Sequence, residues 1–209
     1  MDQQILLLGI IEENHNRNIL KITKELLMQS DYKLDYENIG SDIICYCNKD
    51  RILIIFDLIL SEINKYNLSN FNFDFMIHSL VEDNETNDIK KMLSKSKVCI
   101  VNSDIDNLSS LLSNLEDTLV ITYGLNSKST ITISSYNINT HTDVNLCLQR
   151  VIIPLTNEKI EPFEFNIKVS YDNEDLLYPI LSASTLNLLL GDSILNKKPY
   201  ENIILNIES

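Results

Sequence analysis

The stretch Gly9-Ile10-Ile11-Glu12-Glu13-Asn14-His15-Asn16 is where this chain comes nearest to a phosphate-handling motif. An apolar run from Gln4 to Ile11 precedes it and reads as a buried β-strand. A helical pattern from Asn16 to Gln29 follows. A phosphate loop at such a junction has the form G-x-x-x-x-G-K-[ST]. Its glycines let backbone N–H groups cradle the phosphates, its Lys reaches the terminal phosphate, and its hydroxyl holds magnesium. Gly9 meets the first position, but Asn14, His15 and Asn16 stand where the second Gly, the Lys and the hydroxyl belong. Glu12 and Glu13 add negative charge where a triphosphate would lie. Backbone N–H groups at a helix start still attract anions. Gly9, Asn14, His15 and Asn16 are therefore the candidate cofactor-binding residues of this junction. Lys128 joins them, in the loop Tyr123-Gly124-Leu125-Asn126-Ser127-Lys128-Ser129. That loop follows a strand, at the edge where open α/β sheets bind ligands. The other reading of it is a plain turn.

Glu82 and Asp83, after a strand ending at His78, are the candidate metal ligands, since hard cations take carboxylate oxygens. A solvated acidic loop is the alternative. The three His residues, at 15, 78 and 141, form no recognisable dyad, and adjacency of His78 and Ser79 is not catalytic geometry. The chain has no G-x-S-x-G elbow and no G-x-G-x-x-G dinucleotide fingerprint. No residue is assigned a catalytic role.

Composition narrows the partners. The net charge is −13, from 17 basic and 30 acidic side chains. Nucleic acids and anionic membranes need clustered Lys and Arg, and no basic stripe occurs, so neither is an expected partner. The longest apolar run, Ile52 to Leu60, holds nine residues including Asp57, too few to span a bilayer. No secretory signal opens the sequence. The cytoplasm is the expected compartment. The Cys45-x-Cys47 pair lacks zinc spacing, and Cys45, Cys47 and Cys99 fall in apolar runs, as inert buried thiols do. Abundant Asn, Ile and Lys with four Gly point to an AT-rich bacterial genome.

The elements that must position these residues alternate over the first 125 positions. Ile5 to Ile11 has the continuous apolar character of a strand covered on both faces. Ile19, Ile22, Leu26 and Leu27 recur at helical spacing. Asp42 to Cys47 reads as a second strand. Arg51 to Tyr66 reads as a helix capped by Asn48 or Asp50, with Ile52, Ile55, Phe56, Ile59, Leu60 and Ile63 on one face. Phe73 to His78, Val98 to Val101 and Thr118 to Thr122 are further strands. Helices are marked by Ile89, Met92 and Leu93, and by Leu108 to Leu115 with Asp104 as N-cap. From residue 126 the period changes to two. Ile131 and Ile133, Asn145 to Ile153, and Phe163 to Val169 read as antiparallel strands. Leu176 to Gly191 is a closing helix with Gly191 as C-cap. Ile203 to Ile207 is a last short strand. The whole is a single domain over 1–209, with a βα-alternating part (1–125) and an antiparallel part with a helix (126–209). Its fold class is α/β, a three-layer, mostly parallel sheet flanked by helices.

Three segments carry a resemblance. Val98-Cys99-Ile100-Val101-Asn102-Ser103-Asp104 is a strand ending in Asn-x-Asp. Leu119-Val120-Ile121-Thr122-Tyr123-Gly124 is a strand ending in a Tyr-Gly turn. The helix Leu177 to Gly191 contains Tyr178-Pro179-Ile180-Leu181-Ser182-Ala183-Ser184 and closes on Leu-Gly. In this order they resemble the central, ATP-binding domain of the Mur ligases and the related folylpolyglutamate synthetases. The resemblance implies that domain's fold and, in an intact member, ATP-dependent amide ligation with magnesium. The family's Gly-Thr-Asn-Gly-Lys-Thr loop is not matched here in its Lys or its Thr. Its magnesium-proximal acids find only Glu82 and Asp83 as counterparts. Its carbamylated Lys finds none, although Lys95 and Lys97 fall nearby.

Three functional readings follow. The leading one is a non-catalytic Mur-ligase-like domain that binds a protein or ligand and needs no cofactor. The alternative is a divergent ATP-dependent amide ligase or nucleotide hydrolase, using ATP and magnesium through an altered loop. The third is a subunit of a homo-oligomer or larger assembly. An exposed apolar patch of more than a few hundred Å² would support it.

Overall fold

The computed structural model describes residues 3–13, 15–37, 42–65, 68, 71–79, 87–106, 108–113, 115, 117–170, 173–191, 193–197 and 201–207. Of the candidate residues, Asn14, Glu82 and Asp83 lie outside these. The chain divides into two compact units, residues 1–17 with 32–121, and residues 18–31 with 122–209.

The first unit is built on β1 (Gln4–Glu12), β2 (Lys33–Glu37), β3 (Ile43–Cys47), β4 (Arg51–Ile59), β5 (Phe75–His78), β6 (Val98–Asn102) and most of β7 (Leu119–Tyr123). Their order is β2-β3-β4-β1-β5-β6-β7. Strands β4, β1, β5 and β6 run parallel, while β2 and β3 form an antiparallel edge. Helices α2 (Asn87–Ser94) and α3 (Leu108–Leu112) belong to this unit. A core cluster on one sheet face joins Ile11, Leu58, Met76 and Val101 to Met92 and Leu111.

The helix expected over Arg51 to Tyr66 is instead strand β4 followed by a 3-10 helix, Leu60–Lys65. Burial alternates along Arg51 to Asp57 with period two. Asn48 does not cap a helix. Its Oδ1 accepts the N–H groups of Asp50 (3.0 Å) and Arg51 (2.8 Å), closing the tight β3–β4 turn. An Ile-rich apolar run satisfies both periods. Its four Ile residues, β-branched and stiff at χ1, carried the strand signal. Asp104, the expected N-cap, lies four positions before α3. Its N–H donates to Asn102 Oδ1 at 2.9 Å in the turn after β6, and α3 begins at Leu108.

The second unit contains α1 (Asn18–Gln29), β8 (Ile131–Ile138), β9 (Thr142–Leu148), β10 (Phe163–Val169), α4 (Leu177–Leu190), α5 (Ile194–Lys197) and β11 (Asn202–Leu205). Strands β8, β9 and β10 are successive antiparallel neighbours, and β11 adds in parallel to β10. Helix α4 packs on α1 and is buried on nearly every side. Such a helix must satisfy its polar groups internally. Thr185 Oγ1 donates to Leu181 O at 2.7 Å, and Ser182 Oγ to Pro179 O at 3.1 Å. Asn187 Nδ2 donates to Ser30 Oγ at 3.1 Å, and Ser193 Oγ donates to Asn187 Oδ1. Gly191 ends the helix as expected, with φ +90° and its N–H on Leu188 O.

Candidate functional site

Parallel strands bring their C-terminal ends to one edge, and β1 sets the site there. It runs to Glu12, so Gly9 is an interior strand residue opposite Phe56 of β4 and Met76 of β5. A Cβ at Gly9 would fall 2.2 Å from Met76 Sδ. The absence of a side chain at Gly9 is thus used by core packing. Only five residues, 13–17, separate β1 from α1.

His15 and Asn16 are exposed in the turn after β1. Arg17, next in sequence, holds a left-handed backbone, φ +54°, a conformation that costs a non-Gly residue about 1 kcal/mol. Its guanidinium is tethered at two points. Nη2 lies 3.0 Å from Asp42 Oδ1, and Nε lies 3.0 Å from Asp57 Oδ2. Asp57 is wholly buried, in register with Ile10 of β1. Its N–H donates to the Asp42 carbonyl at 2.8 Å, which fixes the two carboxylates side by side. This triad of one cation and two carboxylates has a formal charge of −1. Close by, Lys65 pairs with Glu62 at 2.7 Å. The Glu62 carboxyl is held below its ordinary range, first by its hydrogen bond from Lys65 and then by the positive charges of Lys65, His15 and Arg17. Glu12 is buried at the strand end and Glu13 is exposed beside it.

On neighbouring strands, Ser79 Oγ donates to the Ile11 carbonyl at 2.6 Å, tying the end of β5 to β1. His78 is buried, level with Ile11 and Val101. Asn102 is buried at the end of β6. Gly9 thus lies inside β1, whereas His15 and Asn16 lie exposed in the turn that follows it. Lys128 belongs to the second unit, exposed on a turn where its N–H donates to Asn126 Oδ1 at 2.8 Å. Among the described residues no group of three or more His, Cys, Asp or Glu could hold a metal ion. No helix among them is long and apolar enough to cross a membrane.

Sequence reasoning missed Arg17, Asp42 and Asp57. The available signal was Asp57 itself, a lone carboxylate inside a nine-residue apolar run. Such a group must find a cation or hydrogen-bond donors when buried.

No protein-family model matches the chain, and no curated protein matches it. Solved structures do match by fold. MurF from Acinetobacter baumannii aligns with TM-score 0.67 at 8% identity, over 92% of this chain and 44% of that one. A murein peptide ligase from Psychrobacter arcticus aligns with TM-score 0.61 at 8% identity, over 90% and 44%. MurF ligase from Thermotoga maritima in complex with ADP aligns with TM-score 0.57 at 12% identity, over 90% and 46%. The chain has a Mur-ligase-central-domain-like fold. It spans less than half the length of these ligases, and at such identities the likeness is one of fold alone.

Proposed function

We propose that this chain is a non-catalytic Mur-ligase-like module of the bacterial cytoplasm that acts in protein or ligand binding. The observation that supports this is the double tether of Arg17. Arg17, the nearest Lys or Arg in sequence to the position of a phosphate-loop Lys, is committed to Asp42 and Asp57. Glu12 and Glu13 add further negative charge, and the space above Gly9 is taken by Met76. These residues do not fit a triphosphate with magnesium, and no chemical step is derived through one. Lys128, Asn14, Glu82 and Asp83 are kept as candidate contacts only under the second reading.

That second reading is a divergent ATP-dependent amide ligase or nucleotide hydrolase. It is favoured by one observation: the likeness of fold extends to a ligase whose structure contains ADP. Calorimetric titration with ATP and magnesium, paired with thermal denaturation, separates the two. A ligand at 100 times its Kd stabilises by about 2.7 kcal/mol. The non-catalytic reading expects no heat and no shift in Tm at millimolar ATP. Micromolar binding overturns it and directs mutagenesis to His15, Arg17 and Lys128.

A further inference from the structure

The core cluster of the first unit covers only part of its sheet face. It packs on Ile11 and Leu58 and reaches Leu7 and Phe56 at its margin. The same face continues across β1, β4, β3 and β2, and among the described residues of this unit the core cluster holds no helix that would cover it there. Register places Ile5 beside Ile52, and Ile52 beside Cys47. Leu7 lies beside Ile54, Ile54 beside Cys45, and Cys45 beside Tyr36. Ile43 is level with Phe56, whose ring meets Phe71 edge-on at 5.9 Å. Ile52, Ile54, Cys45 and Cys47 are half-buried, while Ile5 (59%), Tyr36 (50%), Ile43 (39%) and Phe71 (42%) are exposed. On the opposite face of the same strands, Leu6, Leu8, Leu53, Ile55, Ile44 and Tyr46 are all fully buried.

We propose that this four-strand face is the interface with a second copy of the chain. Its area argues for that occupant. Ile5, Tyr36, Ile43 and Phe71, with the half-buried residues between them, form an apolar patch of several hundred Å². Two such faces together approach the roughly 1,200 Å² at which specific protein interfaces begin. Its chemistry argues the same way. No charge occupies the centre, as in homodimer interfaces. The residues at its edge carry both signs, with Lys33 level with Cys47, Asp35 close enough to Cys45 to act on it, and Lys49 and Asp50 in the β3–β4 turn. A two-fold arrangement can pair opposite signs across such a rim, despite the overall charge of −13. Twisted sheets pack face to face with interdigitating side chains, and a surface of Ile, Phe, Tyr and Cys on four strands supplies them.

The cysteines report on the face. Cys45 and Cys47 lie on it, whereas Cys147, also half-buried, lies on β9 of the other unit. Molecular mass by light scattering is measured over a concentration series of the full chain. N-ethylmaleimide modification of each thiol is then followed by mass spectrometry over the same series. The expected result is a dimer at tens of micromolar, with Cys45 and Cys47 modified several-fold more slowly as concentration rises and Cys147 unchanged. Ile5→Lys and Ile54→Asp should each return the protein to monomer, Ile5→Lys being the safer variant because Ile5 is already largely exposed. A monomer at every concentration overturns the proposal. So does a dimer in which Cys45 and Cys47 keep their monomer rate, since the contact then lies elsewhere, including with a heterologous partner. Neither outcome depends on whether ATP binds.

Discussion

Replacing Arg17 with Ala tests whether the double tether holds the turn after β1. The substitution leaves Asp57 without its guanidinium partner at a position fully out of water. Removing one member of a buried ion pair costs roughly 3–5 kcal/mol. The Arg17 side chain is 32% exposed, so water screens part of the interaction and the lower end, about 3 kcal/mol, is expected. In a chain of this length that corresponds to a fall in Tm of about 6–12 °C. Arg17→Gly loses the same contacts but relieves the left-handed strain at φ +54°, so it should be about 1 kcal/mol more stable than Arg17→Ala. Combining Arg17→Ala with Asp57→Asn removes the unmatched charge as well. The double variant should therefore be more stable than the sum of the two single losses by at least about 1 kcal/mol. Urea denaturation of the parent and the four variants in low and high salt supplies the numbers, and a buried pair should change little with salt. An Arg17→Ala protein within about 0.5 kcal/mol of the parent, or a coupling near zero, would refute the reasoning.

Three further outcomes are expected. Burial pushes the Cys99 thiol up to about 11, although its hydrogen bond with Ser96 opposes this. A folded-state pKa above the unfolded value of 9.0 keeps the proton on the native protein while the unfolded chain loses it. Stability is therefore full below about pH 9 and falls by roughly 2–3 kcal/mol through pH 11; Cys99→Ala should flatten this alkaline limb in pH-dependent urea melts. Gly191→Ala must hold φ +90° with its Cβ 2.6 Å from Thr156 Cγ2, so a loss of about 2 kcal/mol is expected, and adding Thr156→Ala should recover only the steric part. Asn187→Ala removes the bonds that Ser30 and Ser193 make to its amide but leaves those hydroxyls accepting from the Ile194 and Leu195 N–H groups, and calorimetry should show a loss of about 2 kcal/mol; an unchanged Tm would mean that water replaces the lost bonds without cost.

What the sequence determined by itself is what local chemistry and periodicity can encode. Ile5 to Ile11 reads as a strand from its continuous apolar run, and the structure buries both faces of it only from Leu8 onward. Leu177 to Leu190, with Gly191 behind it, could only be a buried helix with a left-handed cap. The missing Lys and hydroxyl after β1 were legible without coordinates, because a phosphate loop is defined by residue types at fixed spacing. Tertiary structure decided the rest. Ile52 to Leu60 is apolar at both helical and strand spacing, and only pairing with β1 on one side and β3 on the other made it β4. That choice buried Asp57, and its burial required a cation, found 40 positions earlier in Arg17. It also replaced a helix with a hairpin, which leaves the Ile5, Ile54 and Cys45 face open. Local sequence carries propensity, but the partners that satisfy a buried charge or cover an apolar face lie far along the chain, and only the folded register brings them together.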